Sequence, residues 1–352
     1  MTLALPTRRI EEWKYSDLAR VLGDAGFGED SARALVGPLP HGVEAFSLDE
    51  ANRPDWVNAH YGKLSTNAVS AVSLAKAQGG IALRVHKNTH VEAPLALDFL
   101  GQGHVRALLV LQEGASLTLL ERCGGGETRN AGFEIVLGRN ARLDHVRVAP
   151  NSSAVQVEEI SMTLANDAQY RAHFANFGAR LSRLELTIAL KGEGASVDLS
   201  GVSVLSDQSH ADITTHVTHE VGQTQSLQLF KNVVGGGAQA VYQGKVTVKP
   251  NADGSDSRQT AKALLLGPRA EADLKPELEI LADDVKCAHG AAVGDLDADS
   301  LFYLKARGIP EKEARHLLLH AFLEDAMACI TGPDLRESVR GAVSRALDEV
   351  TV

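Results

Sequence analysis

From about Gly80 to Gly290 the chain is a succession of short runs rich in Val, Ile, Leu and Thr, broken by Gly, Asn and Asp. That pattern predicts a long β domain. Examples are Ile81 to Val85, Ala107 to Leu111, Ser116 to Leu120, Phe133 to Leu137, Arg142 to Val148, Leu184 to Leu190, Ser196 to Val204, Ser226 to Phe230 and Lys245 to Val248. They restart about 8 to 12 or about 20 to 25 residues apart, which suits a sandwich or a solenoid of stacked coils without choosing between them. Both ends read differently. Residues 1 to 75 look helical and mixed, with an apolar stripe at Trp13, Leu18, Val21 and Leu22 and a capping box at Ser47-x-x-Glu50 that predicts another short helix. After Gly290, Asp297 caps a predicted helix over Ala298 to Ala306, which Gly308 stops. Pro310 starts a second helix, whose stripe is Ala314, Leu317, Leu318, Ala321, Phe322 and Ile330 and covers Cys329. A third runs from Leu335 to Val350. The expected division is a helical region over 1–78, a β core over 79–295 and a helical region over 296–352.

The best chemical pair lies in the stretch Lys275 to Gly308. Glu277 to Cys287 alternates apolar and polar positions and reads as one strand with a bulge or turn at Asp283-Asp284. Side chains repeat every second residue along a strand, so Cys287 and His289 point to the same side. A soft metal accepts both a thiolate and an imidazole. Two donors are half of a tetrahedral set, so other residues or a second chain must complete it. The plainer reading is a buried cysteine beside a hydrogen-bonded histidine at a strand end. Gly290-Ala291-Ala292 leaves room for another backbone to approach.

Other features carry less. Gly124 to Gly126 and Gly235 to Gly237 lead into no phosphate-loop pattern and read as turns, and neither a nucleophile elbow nor a zincin motif is present. His216 and His219 fall on opposite faces of a strand, so with His210 they read as surface or hydrogen-bonded residues. Cys123, beside a glycine turn where a thiol can be exposed, has no Cys or His at ligand spacing and reads as a plain thiol. His316 and His320 lie one helical turn apart without a further ligand and read as solvated. With 352 residues, 44% of them hydrophobic, the chain can bury a large core. A net charge of -10 argues against a general nucleic-acid binder. Three cysteines far apart in sequence suggest no disulfide framework, and with no signal-peptide pattern and no long apolar run the expected setting is cytoplasmic and away from membranes.

The run P-x-L-E-I-x-A-D-D-V-K-C-x-H-G from Pro276, followed by D-x-x-x-L-F-Y-L-x-x-R-G-I-P, resembles the SufB/SufD family of iron-sulfur cluster assembly proteins. The opening P-T-R-R-I-E-E-W-K-Y-S-D-L, residues 6 to 18, resembles the family's N-terminal motif, so the two matches bracket nearly the whole chain. Within the family it is most similar to the SufD branch: the extra cysteines of the SufB branch are missing, and Thr260 stands where SufB has its scaffold cysteine. The resemblance implies a right-handed parallel β-helix flanked by helical segments. It also implies a non-catalytic scaffold subunit that pairs with a SufB-like chain through the β-helix end, or with itself when isolated, and docks a SufC-like ATPase through its C-terminal helices. Cys287 and His289 would then meet a transient iron or iron-sulfur cluster shared with the partner, none being held tightly by the isolated chain. Two alternatives stand beside it. One is a purely structural partner in which Cys287 and His289 only pack. The other is a β-helical carbohydrate-active protein, which would be expected to line a solenoid face with carboxylates and aromatics; this chain is only 5% aromatic.

Overall fold

The computed structural model describes residues 5–28, 31–65 and 67–350. Helix α1 (Leu18–Leu22) precedes two short strands, β1 (Arg33–Val36) and β2 (Val43–Ser47), and helices α2 (Asp55–His60) and α3 (Ala68–Lys76) follow them. The β domain opens with β3 (Gly79–Val85), β4 (Leu95–Leu100), β5 (Gly103–Leu111), β6 (Ser116–Cys123), β7 (Arg129–Leu137) and β8 (Arg142–Ala149). It continues through β9 (Val155–Leu164), β10 (Gln169–Asn176), β11 (Leu181–Leu190), β12 (Ser196–Leu205) and β13 (His210–His219). Its last strands are β14 (Gln225–Val234), β15 (Gln239–Val248), β16 (Asp256–Leu265), β17 (Glu271–Ile280) and β18 (Lys286–Gly294). Helices α4 (Ala298–Ala306), α5 (Glu311–Met327) and α6 (Pro333–Val350) come last.

From β3 onward the strands alternate between two sheets. One has the order β1-β4-β6-β8-β10-β12-β14-β16-β18 and the other β17-β15-β13-β11-β9-β7-β5-β3-β2. Pairing is parallel throughout except where β1 meets β4 and β2 meets β3. A chain that returns to the same sheet one coil later, always parallel, is a β-solenoid, so the sandwich is excluded and the protein is mainly β with helices at both ends. One corner repeats from coil to coil. Gly114, Asn140, Asp167, Gly194, Gln223 and Gly254 all have positive φ, between 55° and 76°. The residue after each is small and buried: Ala115, Ala141, Ala168, Ala195, Thr224 and Ser255. The left-handed residue turns the chain at little steric cost when it is Gly, Asn or Asp, and the small residue lets the next coil sit directly on top. The backbone locks this corner vertically, as in Asp167 N–H to Glu193 C=O at 2.9 Å and Gln223 N–H to Asp253 C=O at 3.0 Å.

Inward residues stack in register. Leu119 pairs with His145, His145 with Ala172, Ala172 with Leu199 and Leu199 with Gln228. The main core is therefore the lumen, with Leu109, Leu143, Phe174, Leu186 and Val246 among its members. The outer faces of the sheets are covered in turn. Leu319, Leu323, Met327, Val339, Val343 and Leu347 of α5 and α6 pack on Val146, Val202 and Val233. Trp13, Leu18, Leu22 and Val69 pack on Val155, Val157 and Leu181. Buried charges fasten this N-terminal cover: Arg106 pairs with Glu134 at 2.9 Å and bonds Ser65, Ser70 and Ser73. Arg183, paired with Glu185 and Asp212, lies 4.1 Å under the Trp13 ring.

Several expectations change. Segment 1–78 contributes β1 and β2 as well as helices, and Ser47 ends β2 instead of capping a helix, the next helix starting at Asp55. The Ala298–Ala306 helix has its predicted bounds, with Asp297 accepting from Ser300 N–H at 2.6 Å. In α5 the face turned inward is Ala314, Leu319, Leu323, Ala326 and Met327, whereas Leu317 and Ala321 are exposed. Both faces of α5 are apolar, and the sheet takes one of them. Strands β9, β10 and β13 carry polar residues that look like surface ones in the sequence and are not. Glu158, Glu159, His173, Asp212 and His219 are buried with partners. His219 bonds Thr224 and Ser226, and His210 bonds Ser16. His316 and His320 lie near Asp348 and Glu324 at 3.5 and 3.7 Å.

Two predictions follow from this packing. A Cβ on Gly201 would sit 2.6 Å from the Phe230 ring and 3.2 Å from the Phe174 carbonyl oxygen. Gly201→Val is thus expected to destabilise the fold by about 1–3 kcal/mol, measured by denaturant unfolding. Burial also holds His173 and His219 neutral, with pKa values near about 4, and His145 near about 3. An unfolded histidine titrates near about 6.5, so as pH falls from there toward 4 the unfolded chain takes up protons that the fold refuses, and stability drops. Glu158 works the other way: burial lifts it to about 7, so the folded chain is the one that holds its proton between there and the ordinary carboxylate range. Among the described residues burial holds down six histidines and lifts three carboxyls, so the unfolding temperature is expected to be several degrees lower at pH 5 than at pH 7, and His219→Gln to narrow the gap in circular-dichroism melts.

Candidate functional site

The two ends of the solenoid are finished differently. At the N-terminal end the antiparallel strands β1 and β2 close the two sheets. At the other end β17 and β18 are the last strands of their sheets, and nothing among the described residues pairs with their outer edges. The expected single strand from Glu277 to Cys287 is in fact split. β17 ends at Ile280, the chain turns through Asp283-Asp284, and β18 begins at Lys286 in the opposite sheet. Cys287 and His289 nonetheless share one strand, β18, and one face of it.

That face is the inward one. Ser226 pairs with Ser257 and Ser257 with Cys287, while Gln228 pairs with Gln259 and Gln259 with His289. These two columns, apolar at Leu117 and Leu119 in the early coils, have become polar by the time they reach the open end. Ser226 donates to Ser257 at 2.8 Å, and Gln228 accepts from Thr215 at 2.7 Å and from Tyr242 at 3.2 Å. Gln259, directly beneath His289 in register, is buried, and neither polar atom of its amide has a hydrogen-bond partner among the described residues. An unpaired buried amide costs on the order of 1–3 kcal/mol, so the column favours a polar group at its exposed end.

Cys287 is half-buried and packs at the end of the lumen core with Leu274, Leu278 and Val285. Burial pushes its thiol pKa up, opposed in smaller measure by a hydrogen bond from the Ser257 backbone. His289 is exposed, and a side chain at Gly290 would meet nothing within 4 Å. The pair thus offers one sulfur and one imidazole on a face that a second chain can reach, and two donors only.

Sequence reasoning missed a third grouping. Cys123, read as a plain thiol near a turn, is 5% exposed inside the lumen. Its ligand atom and those of Glu121 and Glu158 lie within 4.8 Å of one another, the one such set of three metal-capable side chains among the described residues. They come from β6 and β9, and only the coil register brings them together; the one signal in the sequence was a Glu two residues before the cysteine, on the same strand face.

No helix of the described residues is long and apolar enough to cross a membrane. Residues 100–322 match the family described as SUF system FeS cluster assembly, SufBD core domain. The chain is 28% identical to the iron-sulfur cluster assembly protein SufD of Escherichia coli, over 97% of this chain and 89% of that protein. It is 28% identical to an iron-sulfur cluster assembly SufBD family protein of Synechocystis over 97% of this chain and 88% of the relative. A SufBD family protein of Mycobacterium tuberculosis matches at 26% over 98% of this chain and 90% of its own length. With a parallel β-solenoid between helical ends and a family match across most of that solenoid, this chain belongs to the SufBD family of the SUF iron-sulfur cluster assembly system and is SufD-like.

Proposed function

We propose that this protein is a non-catalytic subunit of the SUF assembly scaffold, which pairs with a SufB-like chain through the open end of its solenoid and presents Cys287 and His289 to iron or a nascent cluster there. The observation that carries the reading is the open end itself: two unpaired strand edges and an inward face with no further coil to cover it. Edges of this kind bind a partner strand or aggregate. A partner solenoid docking edge to edge would continue both sheets and enclose the polar columns. Iron is the cargo of such an interface. A thiolate and an imidazole from this side leave the remaining coordination to the partner, and a shared, incomplete ligand set permits both assembly and release. An isolated chain would hold metal weakly at this place, and two copies could pair through the same edges.

The ATPase contact belongs to the C-terminal helices. Phe302 and Tyr303 of α4 are 73% and 56% exposed, and Leu317 of α5 is 46% exposed, whereas the opposite face of α5 is spent on the solenoid. Exposed apolar side chains of this size on adjoining helices suit a docking face for a SufC-like partner.

Two outcomes are expected. In a complex co-purified anaerobically with the SufB-like chain, His289→Ala lowers bound iron and sulfide several-fold while partner binding and thermal unfolding stay near wild type, with Cys287→Ala giving a similar or milder loss. Unchanged iron in both variants would leave only the structural-partner reading. A Phe302→Asp, Tyr303→Ser double variant is expected to lose the co-purifying ATPase without a change in unfolding temperature. Truncating α5 and α6 would not test this, because it strips the cover from Val146, Val202 and Val233.

A further inference from the structure

The lumen of the early coils holds five ionisable side chains that play no part at the open end. Glu121 and Cys123 from β6, His145 and Arg147 from β8 and Glu158 from β9 are each 5% exposed or less. Arg147 takes one oxygen of each carboxylate: its Nε lies 2.9 Å from Glu121 Oε1, and its Nη2 lies 2.7 Å from Glu158 Oε2. The other oxygens, Glu121 Oε2 and Glu158 Oε1, are buried and have no hydrogen-bond partner among the described residues. His145 Nε2 is 3.1 Å from Glu121 Oε2. Burial holds that imidazole neutral, so this approach is not an ion pair. Its Nδ1 meets the Tyr170 oxygen at 3.0 Å, and its Nε2 makes no hydrogen bond among the described residues. Cys123 Sγ lies 3.4 Å from Glu121 Oε1 and 3.6 Å from Glu158 Oε2, and one ligand atom from each of Glu121, Cys123 and Glu158 lies within 4.8 Å of the others.

We propose that Glu121, Cys123 and Glu158 form a buried site for one divalent transition-metal ion of the zinc or ferrous class. One thiolate and two carboxylates make a three-donor set, which leaves one position of a tetrahedral ion to water. The charges balance in both states. Without metal, a proton on Cys123 and one shared by the two carboxyls leave a single carboxylate opposite Arg147. With metal, the thiolate and two carboxylates are neutralised by the guanidinium and the ion, so loading exchanges two protons for one divalent cation. Neutrality matters because an uncompensated charge at this depth costs several kcal/mol. The same surroundings make Cys123 a poor nucleophile, since burial and both carboxylates raise its thiol pKa well above the ordinary range. This site and the open end are independent, and the experiment separates them.

The full chain carrying both Cys287→Ala and His289→Ala, grown with added Co²⁺ and dialysed against a chelator, is expected to retain about one ion per chain by elemental analysis. Its spectrum should show a thiolate-to-cobalt charge-transfer band and the visible bands of a four-coordinate ion. Cys123→Ser should abolish the charge-transfer band, and Glu158→Gln should lower occupancy at least tenfold, each checked for folding by circular dichroism. Retention should also strengthen as pH rises, because loading releases protons. Absence of bound cobalt in the chain with Cys123 intact, or a cobalt spectrum unchanged by Cys123→Ser, would overturn the proposal and leave a self-neutralised charge cluster around Arg147. If Cys123→Ser does not fold, the charge-transfer band of the chain with Cys123 intact decides alone: its absence overturns the site.

Discussion

Everything in this molecule depends on one coil lying flat upon the next. A residue that points into the lumen is removed from water by its own coil only in part; the coils above and below do the rest. The backbone ladder fixes the register, and the register fixes which side chains share a column, so a β-solenoid behaves as a stack of nearest-neighbour contacts. The recurring corner, a left-handed residue followed by a small one, keeps that stack tight from Gly114-Ala115 to Gly254-Ser255. A bulkier residue at the second position would push two coils apart along the whole edge.

A stack has two ends, and the same requirement acts on both. At the first end β1 and β2 run antiparallel to the coils and occupy the edges that would otherwise be free. At the last end the edges of β17 and β18 stay unpaired and the inward face of β18 meets solvent. The side chains placed there follow the column beneath them. Apolar residues would leave an adhesive patch, but Cys287 and His289, above Ser257 and Gln259, continue a polar gradient instead. The position of the candidate cluster-handling face is a consequence of where stacking stops.

Charge is buried on a scale that a packed β core of this kind tolerates only with partners. On the outer face of one sheet, Arg106 with Glu134 and Arg183 with Asp212 fix the N-terminal cover in place. Such pairs add little net stability over an apolar replacement, yet losing one member leaves the other stranded, and this makes them devices for register and docking. Inside the lumen Arg147 plays the comparable role between Glu121 and Glu158. The two settings differ in what remains unpaired. Glu134 spends both oxygens, accepting from Gly62 and Leu64 N–H as well as from Arg106, whereas Glu121 and Glu158 each keep one oxygen without a hydrogen bond.

The sequence by itself determined the β character of the middle, the presence of three C-terminal helices and the bounds of the first of them, and the sharing of a strand face by Cys287 and His289, because these rest on local periodicity, capping and turn chemistry. It also held a sign of the solenoid in the echo of E-G-A-S-L at 113–117 by E-G-A-S-V at 193–197, although the periods of the apolar runs alone left a sandwich open. The resemblance to the family implies the solenoid. What only the tertiary structure decided were matters of neighbours. The burial of the polar residues in β9, β10 and β13 stayed hidden because a glutamate or histidine whose partner lies on another strand or the next coil reads, in one dimension, as a surface residue. The inward face of α5 went to Leu319 and Leu323 because two apolar faces compete and the sheet accepts one. Cys123 changed from a plain thiol into part of a buried donor set because coil register, which no short window of sequence contains, sets β9 across the lumen from β6.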